Sequence, residues 1–544
     1  MTATTTSSAT PLDITLRAIS GAIGKGDYCA ARDHAEEAIA RGETHPTLFT
    51  ARAFWLEREG RDPEALVEFD KAVSLDPQNI ALLNAVGLCL TRLHRLDEAI
   101  AAFDEAIRIN GTFAPSYRRK GAVLEIIGEM NAARAAYRQA IRLDPNDRES
   151  LANLSILASR SGQKANASQL AARALQLDPR QPTAQAARAL ISLIDGKYAE
   201  AESAARTILA FPGTIPHTRS VAAGLLGDAL DGQNRIPEAF AAYSEEKALL
   251  LAQHAPRFRG QMSATEHTQR IADALPSISI TPSSPKDGQS GATGHVFILG
   301  FYRSGTTLLR RILETHPAVA SLEERDFLLR PAAKYLSDVS GLAALATLSD
   351  DEIAQERAAY WQGIKASGAV VDGKILVDKQ PFNTIKLPLI AKIFPDAKIV
   401  FTIRDPRDVV LSCFRSHYAI NTAMFDLLTL DGAARFYAAA MTLAEAMRPA
   451  IEDRLLLHRY EDTVSDFDQS IARVCEFLGV PMVPGMKSFH ALKGGQEISS
   501  QSGIQVTRPL HGESAGKWKL YRDQISPVSP ALDPWIAHWN YPRD

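Results

Sequence analysis

The first half of this chain repeats itself every 34 residues, and that period restricts its possible folds more than any other feature. A Leu-Asp-Pro ending at Pro77 returns at Pro145 and Pro179; the last two lie 34 residues apart and the first two twice that. Between them, small and aromatic residues recur in register. Ala53, Ala65, Phe69 and Ala72 correspond to Gly87, Ala99, Phe103 and Ala106, and these to Gly121, Ala133, Tyr137 and Ala140. A further unit keeps Ala167, Ala174 and Pro179 but carries Ala171 in the aromatic position. Small residues at the eighth and twentieth positions let two helices approach closely. The aromatic at the twenty-fourth is expected to fill the gap between neighbouring units. Asp-Pro stops the second helix, because the residue before proline is pushed out of the α region. One such pair cannot bury its own apolar face, so several must stack.

This pattern resembles the tetratricopeptide repeat, a pair of antiparallel helices per unit. Ala31 and Ala38 fit a weaker first unit; Gly227, Ala239 and Tyr243 fit a last one. Residues 12–255 are therefore expected to form a helical solenoid of six or seven pairs. Its concave face suits a protein or peptide acceptor, a partner, or a second copy of the chain in a homodimer; the plain alternative is a stiffening role. Periodicity ends near Gln253. Residues 263–274 read as one more helix, and Pro276, Pro282, Pro285, Gly288 and Gly291 punctuate a linker over 256–294. A second domain is expected over 295–544.

Composition narrows the function classes. A net charge of −3 gives no global field toward nucleic acid or anionic membrane. No run of 18 apolar residues occurs, so no membrane span is expected. Cys29, Cys89, Cys413 and Cys475 are scattered, which argues against a disulfide scaffold or a zinc site. With no basic region and apolar core at the N-terminus, a cytoplasmic location is the expectation.

The second half opens with an apolar run, residues 295–299, then Gly300, four residues, and Gly305-Thr306-Thr307. A strand, a glycine-bounded loop and a helix start point backbone N–H groups at a phosphate. The spacing is that of the nucleotide P-loop, but Thr306 stands where its lysine belongs, and Arg303 sits inside the loop. A P-loop kinase or NTPase would have a lysine at 306 and an aspartate after the next strand; this chain has Thr306 and Arg404. Strand-like segments at 374–377, 398–403 and 455–458 alternate with helical ones, giving a parallel α/β sheet. Ligands sit at the carboxyl ends of such strands. Arg303, Lys379, Arg404 and Tyr460 fall there. The expected fold class is thus α plus α/β: a helical solenoid, then a P-loop-like parallel domain.

From His295 onward the chain resembles the sulfotransferase family, most closely its tyrosylprotein-type members and bacterial relatives bearing tetratricopeptide repeats. Four stretches carry the resemblance. Residues 303–307 match the 5′-phosphosulfate loop, and residues 404–412 match the 3′-phosphate element, with Arg404 and Ser412 eight apart. Asp378-Lys379-Gln380-Pro381-Phe382 resembles the Asn-Lys-Asp-Pro-Phe segment, and Ser502 with Gly516-Lys517-Trp518 resembles the C-terminal loop over the nucleotide. The resemblance implies 3′-phosphoadenosine-5′-phosphosulfate as co-substrate, no metal, and transfer to a hydroxyl on a protein or peptide, tyrosine being one candidate.

It also implies roles. Arg303 and the amides of Ser304, Gly305, Thr306 and Thr307 hold the 5′-phosphate. Arg404 and Ser412 hold the 3′-phosphate, with Tyr460, Ser502 and Lys517 as further nucleotide contacts. The two phosphates thus require two well-separated cationic pockets. Arg303 and Lys379 stabilise the leaving oxygen. Glu324, second of a Glu-Glu pair, is the general base; on bare sequence both carboxylates read as solvated loop residues. Arg407 reads equally as a phosphate contact or a surface charge. Asp326 departs from the pattern, since tyrosylprotein enzymes carry an arginine there to attract acidic peptides; Arg330 could supply part of that charge. A non-catalytic adaptor with an inert sulfotransferase-like domain is the alternative from another class.

Overall fold

The computed structural model describes residues 10–283, 291–322, 325–491 and 509–543. The chain forms two compact units, one ending at Ile194 and one starting at Asp195.

The first unit is helical throughout: α1 (Pro11–Gly24), α2 (Tyr28–Ala40), α3 (Pro46–Arg58), α4 (Asp62–Leu75), α5 (Ile80–Arg92), α6 (Leu96–Ile109), α7 (Ala114–Ile126), α8 (Met130–Leu143), α9 (Arg148–Arg160), α10 (Lys164–Leu177) and α11 (Pro182–Ile194). Helices α4, α8 and α10 stop at the residue before the aspartate of each Leu-Asp-Pro. Asn79 and Asp147 then cap α5 and α9, each accepting from an amide three residues on. The side-chain packing differs from the sequence expectation in one respect. The aromatic does not only bridge units; it lies against the glycine of its own pair. A Cβ on Gly87 would stand 2.6 Å from Phe103 Cζ, and one on Gly121 would stand 2.8 Å from Tyr137 Cε1. Glycine is needed because the ring occupies the space of a methyl group. Successive pairs are joined by buried polar links such as Asn84 Nδ2 donating to Ser116 Oγ at 2.8 Å.

The second unit begins with helices that the periodicity groups with the solenoid: α12 (Tyr198–Leu209), α13 (Pro216–Gly232) and α14 (Ile236–Phe258), followed by α15 (Ala264–Ala274). The sequence pattern places divisions at 255 and 295, whereas compactness divides the chain at Ile194. Within the second unit, α13 and α14 present charged groups that bond to the sheet domain. Lys247 on α14, 2% exposed, donates to the Ser416 carbonyl at 2.7 Å.

Beyond α15 lie β1 (Gly294–Gly300), α16 (Thr306–Leu313), β2 (Val319–Leu322), β3 (Ile375–Lys379), β4 (Lys398–Ile403), α17 (Pro406–Arg415), α18 (Leu430–Met447), β5 (Leu455–Arg459) and α19 (Tyr460–Ser465). The strands form one parallel sheet in the order β2-β3-β1-β4-β5. Alternate residues of each strand enter opposite cores. Phe297, Leu299, Ile399 and Phe401 face one side; Val296, Ile298, Val377 and Val400 face the other. Strand β1 is central. The chain leaves it toward β2 and β3 on one side and later passes to β4 on the other, so a crevice opens at the carboxyl ends.

Packing around the repeat glycines is testable. Gly87→Ala gains helix propensity but forces Phe103 aside, an overpacking cost of about 1–3 kcal/mol. Gly21 lies in α1, where an added Cβ would meet nothing within 4 Å, and alanine there gains about 0.5–1 kcal/mol. Thermal denaturation should therefore shift down for Gly87→Ala and up for Gly21→Ala.

Candidate active site

The loop after β1 is shaped by two glycines and one arginine in left-handed backbone: Gly300 at φ 146°, Arg303 at 68° and Gly305 at 100°. Thr384 Oγ1 anchors its start, accepting from the Gly300 amide at 2.9 Å and donating to the Gly300 carbonyl at 2.7 Å. Ser304 faces inward. Its hydroxyl donates to the Phe301 carbonyl at 2.7 Å and lies 2.8 Å from Thr402 Oγ1, and its amide donates to the same carbonyl at 3.2 Å. Ser304 thus holds the loop's shape, and its amide donates within the loop. The amides of Thr306 and Thr307 head α16, where no preceding turn supplies a carbonyl. That end carries the helix's partial positive charge.

Strand β4 runs beside β1 with Gly300 opposite Thr402, so the residues that follow both strands meet. Arg404 Nη1 donates to the Arg303 carbonyl at 3.0 Å. Arg303 Nε in turn donates to Ser412 Oγ on α17 at 2.9 Å. The two pockets expected to be well separated are thus one contiguous cationic cluster, because neighbouring strands lie only about 4.8 Å apart. Burial lowers the Arg303 pKa, with Arg404 adding to the effect. Arg404 is 6% exposed, and its Nε has no partner among the described residues. Its guanidinium lies 4.7 Å from the centre of the Tyr460 ring. Tyr460 starts α19 and packs on the loop: a Cβ on Gly305 would stand 2.7 Å from its Cδ2. Its ring joins the loop to Arg404.

The C-terminal segment closes against α17. Asp408 accepts from the Gly516 amide at 2.6 Å and the Trp518 amide at 2.8 Å, and Arg404 Nη2 donates to the Ser514 carbonyl at 2.5 Å. Burial pushes Asp408 up to about 6, against the pull of Arg404 and those amides. Arg407 is neither a surface charge nor exposed to the crevice. It is clamped by both Asp405 oxygens and lies 3.6 Å from the centre of the Trp518 ring.

At the end of β3, Lys379 is 1% exposed and its Nζ lies 3.3 Å from Thr307 Oγ1, beside the helix start. Asp378 points to the other face, where it accepts from Tyr360 OH at 2.7 Å, and burial pushes it up to about 6. Asp326 is paired with Lys386 Nζ at 2.5 Å through both oxygens. Its charge is therefore balanced locally, and Arg330 is exposed in helix Leu329–Tyr335. Glu324 and Ser502 lie outside the described residues. Among the described residues, the one grouping of metal-ligand type is Glu57, Asp62 and Cys89 in the first unit. Both of those carboxylates already pair with Arg92.

A sulfotransferase family model matches residues 295–484, and tetratricopeptide-repeat models match 58–117 and 114–147. Protein-tyrosine sulfotransferase 1 of Danio rerio is 30% identical over 269 residues, 46% of this chain and 75% of the relative. The chain belongs to the sulfotransferase family. Protein-tyrosine sulfotransferase A of Caenorhabditis elegans is 27% identical over 45% of this chain and 66% of its own. An uncharacterized protein of Aquifex aeolicus is 23% identical over 60% of this chain, and the chain spans only 43% of that relative. Thr306 and Arg404, at positions where a P-loop NTPase needs lysine and aspartate, accord with this membership.

Lys517, on the C-terminal segment, meets a residue of the helical hairpin α13–α14. Its Nζ donates to Asp231 Oδ2 at 2.7 Å. The hairpin meets α17 along a stripe of α13 that includes Gly224, Asp228 and Asp231, at helical spacing. A Cβ on Gly224 would stand 2.6 Å from His417 Nδ1, so glycine seats the imidazole against the helix. His417 lies 2.6 Å from Glu246 Oε1 and 3.2 Å from Asp228 Oδ2. Burial opposes its charge, but Glu246 and Asp228 outweigh burial and push its pKa up to about 9. Repeat helices normally turn such charges to solvent, so nothing in the sequence marked Asp228, Asp231 or Glu246 as site neighbours.

A folded-state pKa above the unfolded value means that His417 stabilises the fold fully below about 6.5 and ceases to do so as pH rises through about 9. Chemical denaturation between pH 6.5 and 9.5 should show wild-type stability falling relative to His417→Gln, the difference shrinking toward the alkaline end. A constant difference would contradict the paired imidazolium.

Proposed function

We propose that this chain is a 3′-phosphoadenosine-5′-phosphosulfate-dependent enzyme that moves a sulfuryl group to a hydroxyl of a protein or peptide, with tyrosine favoured. The observation that carries this reading is that Arg303, Arg404 and Ser412 meet at the carboxyl ends of the central strands, with Lys379 beside the start of α16 and the Arg404 Nε unpartnered among the described residues. A dianionic phosphate takes up such a donor; hydrogen bonds to charged groups contribute about 1.5–3 kcal/mol each. The protein-tyrosine activity in the names of the zebrafish and nematode relatives supports the acceptor class. The repeats supply a surface suited to recruiting it.

The Thr306 and Thr307 amides and Arg303 hold the 5′-phosphosulfate, and Arg404 with Ser412 holds the 3′-phosphate. The acceptor oxygen attacks sulfur as its proton passes to the Glu324 carboxylate. The new oxygen–sulfur bond forms while the bond from sulfur to the 5′-phosphate oxygen breaks. The electron pair leaves on that phosphate, where Arg303 and Lys379 offset the growing charge. Asp326, held by Lys386, neither attracts nor strongly repels an acceptor, so an acidic peptide is not required.

Calorimetry with 3′-phosphoadenosine 5′-phosphate tests the donor. Arg404→Ala should weaken binding by about tenfold to a hundredfold. Glu324→Gln should keep that affinity and lose turnover by about 10²–10⁴. Equal turnover in Glu324→Gln and wild type would favour an adaptor whose transferase domain is inert.

A further inference from the structure

Helix α17 carries Asp408, Ser412 and Arg415 at positions i, i+4 and i+7, one face of a helix. Asp408 pins the backbone on both sides of Lys517. The Lys517 side chain then reaches along this face to Asp231, where Arg415 Nη2 also arrives, at 2.6 Å. Tyr521 OH donates to the other Asp231 oxygen at 2.6 Å, which fixes the carboxylate. The Asp231 side chain is only 8% exposed.

Among the described residues, Arg404, Arg415 and Lys517 meet two carboxylates on this face, Asp231 and Asp408, while Asp228, also near Arg415, is paired with His417. Arg404 Nε and Arg415 Nε are both buried without a partner among the described residues. An ammonium group has three N–H bonds, so the Lys517 bond to Asp231 orients it and leaves donors for a second anion. A surplus of oriented, unsatisfied cationic donors suits a phosphate beside Ser412.

We infer that Asp231, contributed by the helical hairpin α13–α14, is a positioning residue of the donor site, holding Lys517 and Arg415 toward the 3′-phosphate of the nucleotide. The inference rests on the donor reading above. It makes the hairpin part of the transferase machinery, acting through cations that α17 and the C-terminal segment supply.

Calorimetry with two probes separates this from a purely structural role. 3′-Phosphoadenosine 5′-phosphate carries the 3′-phosphate and adenosine 5′-phosphate lacks it. Asp231→Asn should lose about tenfold in affinity for the first and keep its affinity for the second. Lys517→Met should do the same, and Asp231→Asn should add little in the Lys517→Met background, because both changes remove one interaction. Tyr521→Phe, which frees the carboxylate without removing it, should lose less in the same direction and serves if Asp231→Asn does not fold. Unchanged or tighter binding of the first probe by these variants overturns the inference. So do equal losses for both probes, or additive losses in the double variant. If wild type binds the two probes equally, the donor assignment itself falls, and this inference falls with it.

Discussion

The site depends on one constraint: β1 and β4 are hydrogen-bonded neighbours in a parallel sheet, so the residues following them cannot be kept apart. The Arg303 carbonyl accepts from Arg404, and the Arg303 side chain crosses to Ser412 on the helix after β4. Like charges are thereby forced together at the positive end of α16. Such crowding is unfavourable in the isolated protein, and burial already lowers the Arg303 pKa. The proposed nucleotide, with its two phosphates, would relieve it. The sheet's topology therefore sets where these cations gather.

The repeat architecture was legible because its signals are local: glycine under an aromatic ring, and Asp-Pro at helix ends. The parallel sheet was legible from apolar runs ending in polar residues, and Lys379 ends β3 while Arg404 follows β4 directly. What the sequence did not reveal depends on contacts distant along the chain. The spacing of Ser304 in its loop says nothing of Thr402, which holds its hydroxyl. Arg407 has the sequence context of a phosphate ligand, yet Asp405 and Trp518 enclose it. Lys517 fits the C-terminal motif by spacing, but Asp231, 286 residues earlier, decides where its ammonium group points.

The helical hairpin α13–α14 shows how a repeat can change allegiance. Gly227 and Tyr243 keep the packing of a repeat pair, with the Tyr243 hydroxyl donating to Asp228. The outward stripe has been given over to charges that meet α17. Buried charges cost solvation, and here they are offset pairwise: His417 with Glu246 and Asp228, Lys247 with Glu246 and the Ser416 carbonyl. The result ties the last repeat-like helices to the helix that carries Ser412.

A crystal structure with bound 3′-phosphoadenosine 5′-phosphate tests the central claim most directly. The account predicts the 3′-phosphate within hydrogen-bond distance of Arg404 Nε and the Ser412 hydroxyl, and the 5′-phosphate on the Thr306 and Thr307 amides beside Lys379. A nucleotide bound elsewhere, or one whose 3′-phosphate leaves Arg404 Nε without a partner, would contradict it.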